Sequence, residues 1–375
     1  MNRRDVISLV GGGVLLAATP GCAAAADPRR AWLHPGEGET DPRRRALAWA
    51  ILAPNPHNMQ PWLIDLRSPG EAMLFIDHSR LLKDTDPFNR QITIGCGAFL
   101  ELARMAAARE GWAIDCIAFP GGEAQPVLDA RPIARLRFSP APASREPLSA
   151  AVLDRHTNRQ PFDDQPVPAA IAAGIVQAAT NPVVTAHAVV DATQVAALQA
   201  IAWDGARIEA YTPAANAETA DRAHFGDADV AAHPWGISLP GPMMGALHGA
   251  GLLTAEAMKT PGSLAFNEML KSLRASAATA HGWIWLTTAT NTRAEQLEAG
   301  RAYLRAQLAA TAQGLAMQPF SQCLQEYPST AGSYAAAHKA MAPNGGRVQM
   351  FARIGYGKPV PPAPRRGLDA QILKG

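Results

Sequence analysis

Two short segments far apart in the chain carry the residue types from which a ligand site is built. The first is Ala53-Pro54-Asn55-Pro56-His57-Asn58-Met59-Gln60-Pro61-Trp62, a proline-bounded turn that follows a helical stretch. Its Asn58 and Gln60 amides suit the alternating donors and acceptors on the edge of a flat heterocycle. The second is Arg155-His156-Thr157-Asn158-Arg159-Gln160-Pro161-Phe162. It sets guanidinium groups at Arg155 and Arg159 with the Thr157 hydroxyl between them, and Arg binds phosphate as a bidentate fork. Together the segments call for a ligand that is flat at one end and anionic at the other. Two isolated arginines are also what a solvated loop carries; the threonine between them and the distant Gln-Pro-Trp make a ligand the stronger account.

The elements that must position these residues alternate between helical and extended stretches. Residues 41–52 show a helical apolar face of Ala46, Leu47, Ala50 and Ile51, ended by Pro54. Residues 62–67 and 73–77 read as strands joined across Ser68-Pro69-Gly70, and residues 92–110 as a long buried helix. Strands at 113–119 and 132–138 follow, and then the linker Ser139-Pro140-Ala141-Pro142-Ala143-Ser144. The scheme recurs with larger insertions: helices at Ala169–Ala179, 193–211 and 292–315, and strands at 183–190, 283–288 and 347–356. This gives an α+β chain of two pseudo-symmetric halves, 27–143 and 144–375, with antiparallel or mixed sheets flanked by helices. Residues 212–262 are rich in Pro and Gly but also in Trp, Met and Phe, which argues against disorder. They read equally well as a lid over the site and as a packed surface loop.

The two segments resemble the nitroreductase-like flavoprotein family, whose subunits carry an Arg-x-Ser-x-Arg/Lys clamp and, one helix later, Pro-Ser-x-x-Asn-x-Gln-Pro-Trp. Here the order is inverted, as in the fused, single-chain branch called Acg-like, and the resemblance runs along most of residues 41–370. It implies one flavin mononucleotide (FMN) per chain, with Arg155, Thr157 and Arg159 at the phosphate and Pro56, Asn58 and Gln60 at the ring. It extends to Gly314-Leu315-Ala316-Met317-Gln318-Pro319-Phe320-Ser321, similar to a family segment whose backbone runs beside the ring, and to Arg365 in Pro364-Arg365-Arg366, similar to a basic pair that supplements the clamp. The activity implied is two-electron transfer at flavin N5 to electron-poor aromatics or quinones; a fused chain that stores or sequesters FMN with little turnover is the alternative. A chain that supplies both edges of the site itself is expected to be a monomer.

Residues 1–26 read as an export signal of the twin-arginine type: Arg3-Arg4, the apolar run 9–18, then Ala24-Ala25-Ala26. That reading implies the twin-arginine machinery as a partner, a periplasmic or exported protein, and an electron donor other than NAD(P)H. Cys22 raises membrane anchoring as a lipoprotein, although Thr19 stands where a lipobox has Leu. Removal of the signal takes Arg3, Arg4 and Asp5 from 34 basic and 32 acidic residues and leaves 32 and 31. No basic stripe is present for nucleic acid. The four cysteines show no Cys-x-x-Cys spacing. Asp84-Thr85-Asp86-Pro87-Phe88-Asn89-Arg90 has the look of a metal loop but precedes a long helix, so Asp86 or Asn89 is expected to cap it and no metal centre is expected. His57 and His156 are read as hydrogen-bonding to backbone and as pointing away from the clamp.

Overall fold

The structure, a computed structural model, describes residues 27–374; the signal reading of residues 1–26 lies outside the described residues. In chain order the main elements are α1 (Pro42–Ala50), β1 (Trp62–Asp65), β2 (Glu71–Ile76), α2 (Arg90–Arg109), β3 (Trp112–Ala118), β4 (Ala134–Pro140), α3 (Ala169–Ala179), β5 (Thr185–Val189) and α4 (Ala192–Tyr211). The insertion follows, with α5 (Pro213–Ala220), β6 (Ala223–Phe225), α6 (Gly226–Ala232), β7 (Ile237–Leu239), α7 (Pro242–Gly249) and α8 (Ala255–Lys259). The chain closes with α9 (Leu264–Ala278), β8 (Gly282–Thr288), α10 (Arg293–Ala312), β9 (Ala316–Pro319), α11 (Ala331–Met341) and β10 (Arg347–Gly355).

The α+β class expected from the sequence is found. One sheet has the order β1-β2-β4-β3 and the other β5-β8-β10-β9, and every pairing within both is antiparallel. In chain order both read first, second, fourth, third. In each, a short helix precedes the first strand and a helix of 20 residues, α2 or α10, lies between the second and third. Both long helices are rich in small residues on their inner faces, which lets them pack closely at the centre, with Phe99, Leu102, Leu304 and Leu308 fully buried there.

Local chemistry explains the element ends. Asp41 accepts from the Arg43 N–H at 2.9 Å and Pro42 opens α1. Thr292 and Glu295 form a reciprocal capping box at the start of α10. Asp86, as expected, holds the first turn of α2, accepting from Gln91 and Ile92 N–H at 3.1 and 2.9 Å. Asn89 adopts a left-handed φ of 57° and instead accepts from Leu128 N–H at 2.9 Å. Burial outweighs these bonds and pushes the Asp86 carboxyl up to about 6.

Three expectations change. The linker at 139–144 starts later, because Ser139 and Pro140 continue β4 opposite Ala113 and Trp112; a strand end tolerates the missing N–H of proline. The helix at 292–315 stops at Ala312, turns at Gly314 with φ 72° and gives way to β9. The insertion is not irregular: its prolines open helices, as Pro213 and Pro242 do, and Gly226, Gly236 and Gly241 take positive φ. It has a small core of its own built on Phe225, Met258 and Ala265. Cys96 is buried and Cys116 half-buried. Among the described residues no helix is long and apolar enough to cross a membrane.

Candidate functional site

The Asn-x-Gln turn is held in a costly conformation. His57, Asn58 and Gln60 have φ of 47°, 52° and 50°, a region that side chains with a Cβ seldom enter. The compensation comes from three directions. Within the turn, Gln60 N–H donates to Asn55 Oδ1 at 2.8 Å. From the C-terminal segment, Arg365 Nη1 donates to Asn58 Oδ1 at 2.6 Å and Arg366 N–H to Gln60 Oε1 at 2.8 Å. From the insertion, Gly236 N–H donates to Asn58 O at 3.1 Å, while Gln60 Nε2 donates to Pro234 O at 2.9 Å. The Gln60 side chain is fully buried. The amides pictured from sequence as facing a heterocycle are therefore engaged within the protein, and what the turn presents outward is Pro56 and its strained backbone.

Arg155 and Arg365 share one buried nest behind this turn. Both aim at the carbonyls that end α1: Arg155 Nη2 donates to Leu52 O at 2.9 Å, and Arg365 donates to Ile51 O and Leu52 O at 2.9 and 3.0 Å. These carbonyls bear the negative end of the helix dipole. The Trp32 ring lies against both guanidinium groups, 5.5 Å from Arg155 Cζ and 5.2 Å from Arg365 Cζ, and donates its own N–H to Ala363 O. Neither arginine pairs with a carboxylate among the described residues. Burial accordingly lowers Arg155 to about 10 and Arg365 well below its usual range, the latter also through the Arg155 charge.

Around these cations sit buried polar atoms with no partner. Arg155 Nε, the Tyr303 hydroxyl and His156 Nδ1 are all orphaned. Tyr303 on α10 feels the charges of both Arg155 and Arg159, although burial dominates and pushes its phenol upward. One turn on, Gln307 accepts from Arg155 Nη1 at 3.0 Å. Unpaired buried cations next to unpaired donors are destabilising unless an anion meets them. The donor set fits a phosphate.

Thr157 and Arg159 complete the clamp from the other side. Thr157 bridges Met317 in parallel and Asn158 N–H donates to Met317 O at 3.2 Å, so the clamp lies along β9. Among the described residues neither the Thr157 hydroxyl nor the Arg159 guanidinium makes a hydrogen bond. Arg159 is exposed, yet enough protein encircles it that burial lowers its pKa. His57, in the other segment, is depressed to about 4 by burial and then by the Arg159 and Arg222 charges. The two sequence segments are joined where Arg155 donates to Leu52 O, next to the start of the turn segment. His57 Nε2 meets Thr219 Oγ1 at 3.0 Å, not backbone as expected. Thr219 is 3.5 Å from Glu209, whose carboxyl burial raises to about 7.

Of the remaining expected residues, Pro319 is half-buried at the end of β9, while Phe320 and Ser321 turn into the core: Phe320 packs on Trp283, and the Ser321 hydroxyl reaches Phe351 O at 3.2 Å. Only their backbone is left to face a ligand. His156 packs edge-on against Trp32. Sequence reasoning missed Trp32, Tyr303 and Arg353. Arg353 is fully buried, donates to Gln160 O and Ser276 O at 2.6 Å, and lies 3.7 Å above the Phe162 ring, so it fixes the far end of the clamp. A lone arginine in the otherwise apolar Met350-Phe351-Ala352-Arg353-Ile354 was the available signal.

No family model matches the chain. Over 352 residues the chain is 28% identical to Rv3131 of Mycobacterium tuberculosis, provisionally named an NAD(P)H nitroreductase, covering 88% of this chain and 90% of that one. The protein acg of the same organism, provisionally named likewise, is 35% identical over 130 residues, or 34% of this chain and 38% of its own. Among solved structures, the FMN-dependent nitroreductase NfnB of Mycobacterium smegmatis in complex with NADPH aligns with 61% of this chain and 98% of its own at 16% identity and a TM-score of 0.38.

Proposed function

We propose that the chain is an FMN-dependent oxidoreductase of nitroreductase type. The observation that carries this reading is the pair of buried guanidinium groups, Arg155 and Arg365, with no carboxylate partner among the described residues, beside the partnerless Arg155 Nε and Tyr303 hydroxyl. The curated relative named for NAD(P)H nitroreductase activity, similar along nearly the whole chain, supports it. FMN bound by these residues would supply a ring that accepts and returns a hydride at N5. Thr157, Arg159, the Tyr303 hydroxyl and Arg155 Nε would hold its phosphate. Pro56 and the backbone of the strained turn, with the end of β9 at Pro319, would border its ring. The neutral His57 adds no cation there, so charge accumulating on a reduced ring would be met by backbone dipoles.

The acceptors that suit this site are electron-poor aromatics or quinones. The two sheets of equal strand order are read as the fused halves 27–143 and 144–375, each supplying one edge of a single flavin site, in a chain that works as a monomer. Export by the twin-arginine route, with or without anchoring at Cys22, places the protein in the periplasm and makes a donor other than NAD(P)H the working one. A second reading, storage or sequestration of FMN with little turnover, is favoured by one observation: Pro234 and Gly236 of the insertion are hydrogen-bonded directly to the turn at Gln60 and Asn58.

The flavin spectrum of the purified protein tests the first claim, with one FMN per chain expected and a colourless protein that takes up no FMN overturning it. Reduction by a chemical donor, then addition of a nitroaromatic or quinone, separates turnover from storage.

A further inference from the structure

The insertion contains a cluster of potential metal ligands that the flavin reading does not use. His224 lies in β6, Asp229 in α6, and His233 just after α6, one helical turn beyond Asp229. One ligand atom from each comes within 4.8 Å of the others. Asp229 is the hub. Its Oδ2 accepts from Phe225 N–H at 2.8 Å, which fixes the carboxylate, and its Oδ1 is turned toward both imidazoles, 2.7 Å from His233 Nδ1 and 3.5 Å from His224 Nδ1. The second distance is too long for a good hydrogen bond, so His224 aims a ring nitrogen at an oxygen it does not bind. The Nε2 of His224 is buried and also lacks a partner. The two rings stack at 4.7 Å, and both Nδ1 atoms lie within 3.5 Å of Asp229 Oδ1.

We propose that His224, Asp229 and His233 form a zinc site that latches the insertion over the Asn58–Gln60 turn. Two imidazoles and one carboxylate are a zinc donor set, with water in the fourth position. Ligand atoms about 2.0–2.1 Å from a tetrahedral zinc sit about 3.3 Å apart, which lies between the two distances to Asp229 Oδ1, and all three ligand atoms are within 4.8 Å of one another, so rotation of the exposed His233 closes the site. The surroundings hold it in place. A Cβ on Gly236 would lie 3.0 Å from His224 Nε2, and the Trp235 ring stands edge-on to His224 at 4.8 Å and to His233 at 6.2 Å. Residues 234 and 236 are the ones bonded to Gln60 and Asn58. An ion on the two histidines therefore immobilises the segment that covers the turn. Sequence alone did not reveal the site, because His-x4-Asp-x3-His follows no common ligand spacing and the strand-to-helix corner that brings it together is not legible there.

The test is calorimetric titration of the full mature protein, flavin included, with zinc chloride, beside His233→Ala and Asp229→Asn variants and a His34→Ala control. Asparagine keeps an oxygen for Phe225 N–H and His233 is exposed, so both variants retain the fold. One zinc per chain is expected, with affinity reduced at least tenfold in both variants and unchanged in the control. Cobalt titration should give tetrahedral visible bands and quench tryptophan fluorescence, with the quenching largely lost in Trp235→Phe. Absence of saturable zinc binding would overturn the proposal, as would equal affinity in His233→Ala. Both readouts are independent of turnover, so a protein that binds zinc here but carries no flavin would refute the flavin reading while leaving the zinc site standing.

Discussion

Gly97 of α2 and Gly300 of α10 meet across the centre of the molecule in a reciprocal contact. A Cβ built on Gly97 would lie 1.9 Å from Leu297 O and 3.0 Å from Gly300 Cα, and one on Gly300 would lie 1.9 Å from Ile94 O. Ile94 stands one turn before Gly97 as Leu297 stands one turn before Gly300. The two long helices therefore touch through equivalent positions, as two copies of one helix would across a twofold axis. That contact sets how closely α2 and α10 approach each other.

Gly97→Ala and Gly300→Ala should each cost about 2–3 kcal/mol or more, because the added methyl meets backbone that cannot yield. Gly174→Ala, in the middle of α3 with nothing within 4 Å, should stabilise by about 0.5–1 kcal/mol. Urea denaturation checks all three, and near-neutral glycine variants at the centre would show that the helices are not this close.

Much of this was legible in the sequence. Long apolar repeats with clear ends located α2, α3 and α4 to within a few residues, and the two ligand segments announced themselves through rare combinations of Arg, Thr, Asn and Gln. What was not legible depends on tertiary partners. Nothing local reveals that the Gln60 amide is spent on Pro234 and Arg366, or that Arg155 and Arg365 end up on the carbonyls after α1. The order within the insertion is not legible because Pro and Gly signal loops locally, whereas here Pro213 and Pro242 start helices and Gly226, Gly236 and Gly241 take positive φ between elements.

The arginines of the clamp should separate by role. Arg159→Ala removes an exposed group with no side-chain bonds among the described residues, so it should deplete flavin with little change in stability. Arg155→Ala strips Leu52 O and Gln307 of a charged donor and should cost about 2–3 kcal/mol as well as the flavin. Absorbance against protein gives occupancy and urea unfolding gives stability. An Arg155→Ala protein as stable as the parent would contradict the structural half of its role.

His57 should make the protein lose stability on the acid side. Unfolded, it titrates near 6.5; folded, burial and the charges of Arg159 and Arg222 hold it near 4. Between those values the unfolded state binds more protons, so stability falls as pH drops from 6.5 toward 4 and levels below. His57→Gln should flatten part of that slope. In Arg159→Ala the His57 pKa, followed by NMR, should rise toward its ordinary value, and an unmoved pKa would place Arg159 away from the turn.

The insertion should decide which donors reach the site. Pro234 and Gly236 are hydrogen-bonded to the turn, and Trp235 between them is held from the other side by Arg80, whose guanidinium carbon lies 5.2 Å from the ring centre. If the flavin ring lies at the turn as proposed, a dinucleotide stacking on it would displace this segment, breaking two hydrogen bonds and a cation–π contact before gaining any of its own. A small quinol has less to displace. Anaerobic stopped flow should therefore show slow flavin reduction by NADH or NADPH and at least tenfold faster reduction by a soluble quinol. Trp235→Ala, which removes the contact with Arg80 and loosens the segment, should raise the NAD(P)H rate more than the quinol rate. Rapid, saturable reduction of the parent protein by micromolar NAD(P)H would show that the segment opens freely. It would also align this chain with the relative whose name carries that donor, and remove the main support for reading the insertion as a barrier.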